Sequence, residues 1–74
     1  MRKYGIDLKY QREVHGVSQS LLSKETGIKQ QNISRWENDE AIPSIANCEI
    51  LADYYGITID ELIGRDYGRN TKKI

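Results

Sequence analysis

Apolar residues recur every three or four positions in this chain, in short runs separated by glycine, proline and polar residues. That period is helical, and no run makes a convincing strand. Residues 6 to 15 mix Ile6, Leu8, Tyr10 and Val14 with charges and read as a first amphipathic helix, which Gly16 ends. Ser18 is a good N-cap for a second helix over residues 19 to 26, and Gly27 stops it. A third helix runs from Gln30 to Asn38, where Asn38-Asp39 tolerates the left-handed conformation that often closes a helix. Pro43 and Ser44 mark the next start. Beyond them Ile45, Cys48, Leu51, Ala52 and Tyr55 recur at helical spacing until Gly56. Thr58 opens a last short helix with a capping-box pattern that includes Glu61, and Gly64 closes it.

These elements make a compact all-α domain of five short helices over residues 1 to 64. The remainder, residues 65 to 74, is polar and basic and is expected to be a disordered tail. A length of 74 residues allows one domain, near the lower limit for a core that folds alone.

The third helix has an unusual surface. On a wheel of roughly 100° per residue, Gln30, Ser34, Gln31 and Arg35 fall in one polar arc of about 140°. Asn32, Ile33, Trp36 and Glu37 take the other side. So thin an apolar stripe cannot hold an isolated helix, so its neighbours must support it. Its outer face offers hydrogen-bonding groups of the kind that read a partner.

Charge sharpens that picture. The net charge is zero, which by itself argues against a nucleic-acid partner. Its distribution argues the other way. From Met1 to Arg35 there are seven basic side chains and three acidic ones. From Trp36 to Gly64 there are seven acids and neither lysine nor arginine, and the last ten residues are basic again. A basic half that faces a polyanion, with an acidic half facing away, fits this pattern.

Two of the helices, residues 19 to 26 and 30 to 38, are joined by a tight turn containing Gly27. Ser23 is small enough for the third helix to cross close by, and the glycine permits the abrupt change of direction. Those are the requirements of a helix-turn-helix. The run SQSLLSKETGIKQQNISRWEND, then IPS, then ILADYYGITIDELIG resembles the Cro/C1-type (XRE-like) helix-turn-helix family, which includes lambdoid phage repressors. The resemblance covers roughly residues 5 to 64. Arg12, Ser18-Gln19, Leu22, Gly27, Ile33-Ser34, Trp36-Glu37-Asn38, Pro43-Ser44, Ala52, Gly56 and Asp60-Glu61-Leu62 fall at family spacings.

The resemblance implies a lambda-repressor-like fold with double-stranded DNA as the ligand. In a helix-turn-helix the second helix enters the major groove with its N-terminal residues against base edges. Glutamine can pair with adenine N6 and N7, and arginine with guanine O6 and N7. Gln30, Gln31 and Arg35 are therefore the expected base readers, with Ser34 beside them. Gln19, Lys29, Asn32 and Asn38 are expected at phosphates, where they set register rather than preference. The resemblance also implies a buried ion pair between Arg12 and Glu37. Trp36 reads as core rather than as a base stacker.

The chain departs from the pattern after Asn38. Family members often have glycine there, and phage repressors follow it with basic residues. Here Asp39-Glu40 stand instead. Such a loop predicts weak binding by a monomer, because phosphate contacts dominate affinity. Leu21 replaces a usually polar residue. A single domain reads few base pairs, so a homodimer on a palindromic operator is expected, with half-sites about 10 bp apart. Tyr54, Ile57, Ile59 and Ile63 are its candidate surface. The alternative is a protein-interaction module, such as an antitoxin or adaptor, that retains the fold.

No Ser/His/Asp arrangement, glycine-rich phosphate loop or metal-ligand cluster supports catalysis, so neither an enzyme nor a cofactor is expected. His15 sits beside a glycine at a helix end, and Cys48, the only cysteine, lies at a core-spaced position. A lone cysteine fits a reducing cytosol. No signal peptide or membrane span is apparent, so a cytoplasmic protein of bacterial or phage origin is expected.

Overall fold

The computed structural model describes residues 3–65. Among them are five helices and no strand: α1 Gly5–Val14, α2 Gln19–Thr26, α3 Gln30–Glu37, α4 Ile45–Tyr55 and α5 Ile59–Leu62. Apart from Arg65, the expected basic tail lies outside the described residues.

Three helices begin as the capping residues predict. Ser18 Oγ accepts from the Leu21 N–H at 3.0 Å, and Ser44 Oγ from the Asn47 N–H at 3.1 Å. Thr58 and Glu61 complete a reciprocal capping box, with the Glu61 N–H donating to Thr58 Oγ1 and the Thr58 N–H to Glu61 Oε1. Each cap satisfies N–H groups that the helix itself leaves open. Gly27 and Gly56 close α2 and α4 at φ values of 80° and 70°, a left-handed backbone that side chains disfavour.

α1 begins differently. Its N-cap position, Tyr4, provides no side-chain capping hydrogen bond. Instead the Gly5 N–H donates to Asp39 Oδ1 at 2.9 Å, across 34 positions of sequence. Asp39 itself takes φ 61°. Asp39, in the acidic loop after α3, is thus a cap for α1. A side chain at position 5 would put its Cβ 2.5 Å from the Glu37 carbonyl oxygen, so only glycine allows this approach of α1 to the end of α3.

The core gathers Leu8, Leu22, Ile28, Ile33, Trp36, Cys48, Leu51, Tyr55 and Leu62, with Ala52 also buried. Ile33 and Leu62 are its most enclosed large side chains. Burial pushes the Cys48 thiol up from its ordinary value, which keeps it a protonated, inert hydrophobe. α3 packs against α1 and α2, while α5 packs against α1 and α4. The Tyr54 hydroxyl donates to Glu25, tying α4 to α2.

The structure corrects the reading of α1. Only Leu8 of its four large apolar residues enters the core. Ile6, Tyr10 and Val14 are 78%, 59% and 55% exposed. Gly5 and Leu8 turn inward, and residues 6, 10 and 14 fall opposite them on the wheel. Ile45 is likewise exposed rather than part of the α4 core face. It is the first residue of the helix, just outside the packed turns. α3 ends at Glu37, with Asn38 as its C-cap.

Candidate nucleic-acid interface

The turn between α2 and α3 is held by hydroxyls that its glycine conceals. Ser23 Oγ donates to the Ile28 carbonyl at 2.5 Å. Thr26 Oγ1 donates to the Leu22 carbonyl at 2.7 Å and accepts from the Ile28 N–H at 3.2 Å. Ser23 is therefore a staple as well as a small residue. Ile28 is buried behind the turn, which fixes where α3 starts.

α3 then presents the polar arc. Gln30, Gln31 and Arg35 are exposed, while Ile33 and Trp36 are buried on the opposite side. Ser34 is half-buried and accepts from Asn38 Nδ2 at 3.4 Å. Asn32 is also half-buried, and Lys29 and Asn38 are exposed at the two ends. Lys29 occupies the N-cap position without a side-chain hydrogen bond. Among the described helices, α3 is thus the one whose first turn no side chain caps, counting Asp39 as the cap of α1. Open N–H groups and the positive end of the helix dipole remain there to attract an anion.

Behind the arc lies a rigid brace. Arg12 Nε donates to Glu37 Oε2 at 2.7 Å and Nη2 to Oε1 at 3.0 Å, a bidentate pair. The two side chains are 13% and 5% exposed. Arg12 Nη1 also donates to the Val17 carbonyl at 3.0 Å. Hydrogen bonding to Glu37 raises the Arg12 pKa above its ordinary value. Gln19 Nε2 donates to the same Glu37 Oε1 at 3.0 Å. One carboxylate at the end of α3 therefore ties down both α1 and the start of α2. The composition and spacing of residues 12 and 37 gave no sign of Gln19 as the third member. Its link to Glu37 spans 18 positions and exists only in the folded chain.

Among the described residues the exposed cations are Lys3, Lys9, Lys24, Lys29, Arg35 and Arg65, and of these Lys29 and Arg35 belong to α3 or its N-cap. Glu40, Glu49, Asp53 and Asp60 are exposed in the later half. Leu21 is 39% exposed on α2. Tyr54, Ile57, Ile59 and Ile63 are half-buried and pack against the chain's own core. Ile59 and Ile63 also line a shallow apolar groove with Tyr4, Ile42, Pro43 and Ile45. Among the described residues there is no group of three or more His, Cys, Asp or Glu able to hold a metal, and no helix long and apolar enough to cross a membrane.

The chain is similar to the cryptic phage CTXphi transcriptional repressor RstR of Vibrio cholerae serotype O1, strain ATCC 39315 / El Tor Inaba N16961. The two are 34% identical over 55 residues, which is 74% of this chain and 49% of that protein. The chain thus spans about half the length of this relative. No solved structure matches it. A family model described as helix-turn-helix matches residues 8–62, from Leu8 in the core of α1 to Leu62 at the end of α5. By that match and by its geometry, the chain belongs to the helix-turn-helix family of the Cro/C1 type.

Proposed function

We propose that this chain is a sequence-specific, double-stranded DNA-binding transcriptional regulator that acts as a repressor in the cytoplasm. α3 enters the major groove, and Gln30, Gln31 and Arg35 read base edges, with Ser34 beside them. Lys29, Asn32, Asn38 and Gln19 contact phosphates. Gln19 keeps one N–H and its carbonyl for that purpose while the other N–H holds Glu37. The single observation that carries this reading is the exposed Gln30-Gln31-Arg35 arc at the uncapped start of a braced helix. A face kept polar, rigid and open in this way suits base readout.

The regulator works as a homodimer on a palindromic operator, through the α4 and α5 region that carries Tyr54, Ile57, Ile59 and Ile63. The apolar groove beside Ile59 and Ile63 supports that choice. No cofactor enters the mechanism. Selection from a randomised duplex pool at physiological salt tests the reading. It is expected to enrich an inverted repeat with half-sites about 10 bp apart. Failure to enrich any sequence, even at low salt, would refute it.

A second reading, a protein-interaction module such as an antitoxin or adaptor, draws support from the exposed Leu21 and Ile42. The variant with Gln30, Gln31 and Arg35 all changed to alanine separates the two. Under the first reading it loses specific DNA binding, and under the second it leaves partner binding intact.

A further inference from the structure

Ile6, Tyr10 and Val14 lie one turn apart along α1, each more than half exposed. They form a single ridge at i, i+4 and i+8 on the side away from the core. Lys9 and Glu13, both exposed, flank the ridge on one side, also one turn apart. Neither the fold nor the proposed DNA face uses any of these five side chains.

We propose that this face of α1 is a self-association surface, on which a second copy docks its own α1 antiparallel about a two-fold axis near Tyr10. Two features of the ridge favour a copy of itself over another partner. First, ridges at this spacing pack into the grooves of an identical ridge, the commonest helix-packing class. Tyr10 then meets Tyr10 at the crossing, and Ile6 of each copy lies toward Val14 of the other. Second, the flanking charges are self-complementary. A two-fold axis across antiparallel helices keeps the same flank on the same side and reverses its order. Lys9 of each copy is thereby brought beside Glu13 of the other, as an isologous interface requires.

The contact is small. Three side chains per copy bury less than the roughly 1,200 Å² at which stable interfaces begin. It is therefore weak between free molecules and becomes populated when copies are held close together. If the DNA-binding reading holds, neighbouring operators would hold them so and make occupancy cooperative. The contact itself does not depend on that reading.

The test needs no DNA. Sedimentation equilibrium across a series extended to the highest soluble concentrations, reading assembly beyond any α4–α5 homodimer, compares the wild type with K9E, E13K and the K9E/E13K double variant. Each single reversal sets like charges together at two symmetric places, and self-association is expected to weaken about tenfold. The double reversal restores the pairing and should return association to within about threefold of the wild type. Position 10 is read separately. In Tyr10→Cys the two thiols face each other across the axis, and oxidation is expected to give a disulfide-linked dimer. Lys24→Cys, exposed on α2, serves as the control for random collision, and the wild type with its buried Cys48 as the blank. Thermal melts establish that each variant is folded. Association indifferent to residues 9, 10 and 13 would place the contact elsewhere and overturn the proposal. So would a double reversal that fails to restore it, or Tyr10→Cys crosslinking no faster than Lys24→Cys.

Discussion

Asp39 is the only non-glycine residue with positive φ among those described, at 61°. Its carboxylate compensates for that conformation by capping α1. Asp39→Ala removes the cap and keeps the disfavoured backbone, so it should cost about 1–2 kcal/mol in urea denaturation. Asp39→Gly loses the same hydrogen bond but relaxes the backbone, and should cost less. Tyr55 makes a different case, since its buried hydroxyl has no hydrogen-bond partner. Burial pushes its pKa up to about 12, from an ordinary tyrosine value near 10. The unfolded chain therefore ionises first. The stability linked to this group is complete below about pH 10 and is lost as pH rises toward 12, by about 2–3 kcal/mol. Tyr55→Phe should remove that component of the alkaline profile. At neutral pH it should also stabilise the protein by about 1 kcal/mol, because an unsatisfied buried group is gone. A loss of stability would mean the hydroxyl is satisfied after all.

At the scale of elements, what was legible in the sequence was local. Ser18, Ser44 and Thr58 cap the helices they precede, and Gly27 and Gly56 end them, through bonds that span five residues or fewer. Where partners were distant the pattern fell silent. Nothing near Gly5 shows that Asp39 caps it, and nothing near Gln19 shows that it holds Glu37. The orientation of α1 was hidden for a related reason. Its three outward apolar residues outnumber the one that enters the core, so periodicity alone points to the wrong face. For the interface helix, the wheel placed Gln30, Gln31 and Arg35 correctly outward, because Ile33 and Trp36 fix the rotation. The open first turn of α3 carries its own prediction. Lys29→Ser supplies the missing cap and should stabilise the fold by about 0.5–1 kcal/mol. It removes a cation and occupies N–H groups at the same time, so DNA binding should weaken. A melt and a fluorescence-anisotropy titration on one preparation measure both.

In the whole molecule, three helices meet at one carboxylate. Glu37 joins α3 to Arg12 of α1 and Gln19 at the start of α2. Glu37→Ala would leave the Arg12 guanidinium largely buried and without its partner, at a cost of about 3–5 kcal/mol. In a domain of this size that is a large share of the total stability. Charge polarity acts over the same scale. The exposed cations of the proposed DNA-binding helix are few, and Glu40, shortly after it in the chain, is exposed. Binding should therefore depend on salt less steeply than in repressors with basic loops. Lys29→Ala should lower the slope of log K against log salt by about 1 and weaken all sequences alike.

Base reading by the α3 arc is best tested by comparing selected sequences rather than affinities. Wild type and Arg35→Ala would each be taken through selection on the same randomised duplex pool, and the enriched motifs aligned. At one symmetric position per half-site the variant is expected to lose its preference, by about 1–3 kcal/mol of discrimination, with the rest of the motif kept. A motif unchanged by Arg35→Ala would contradict base reading, because an exposed side chain of the arc would then read nothing.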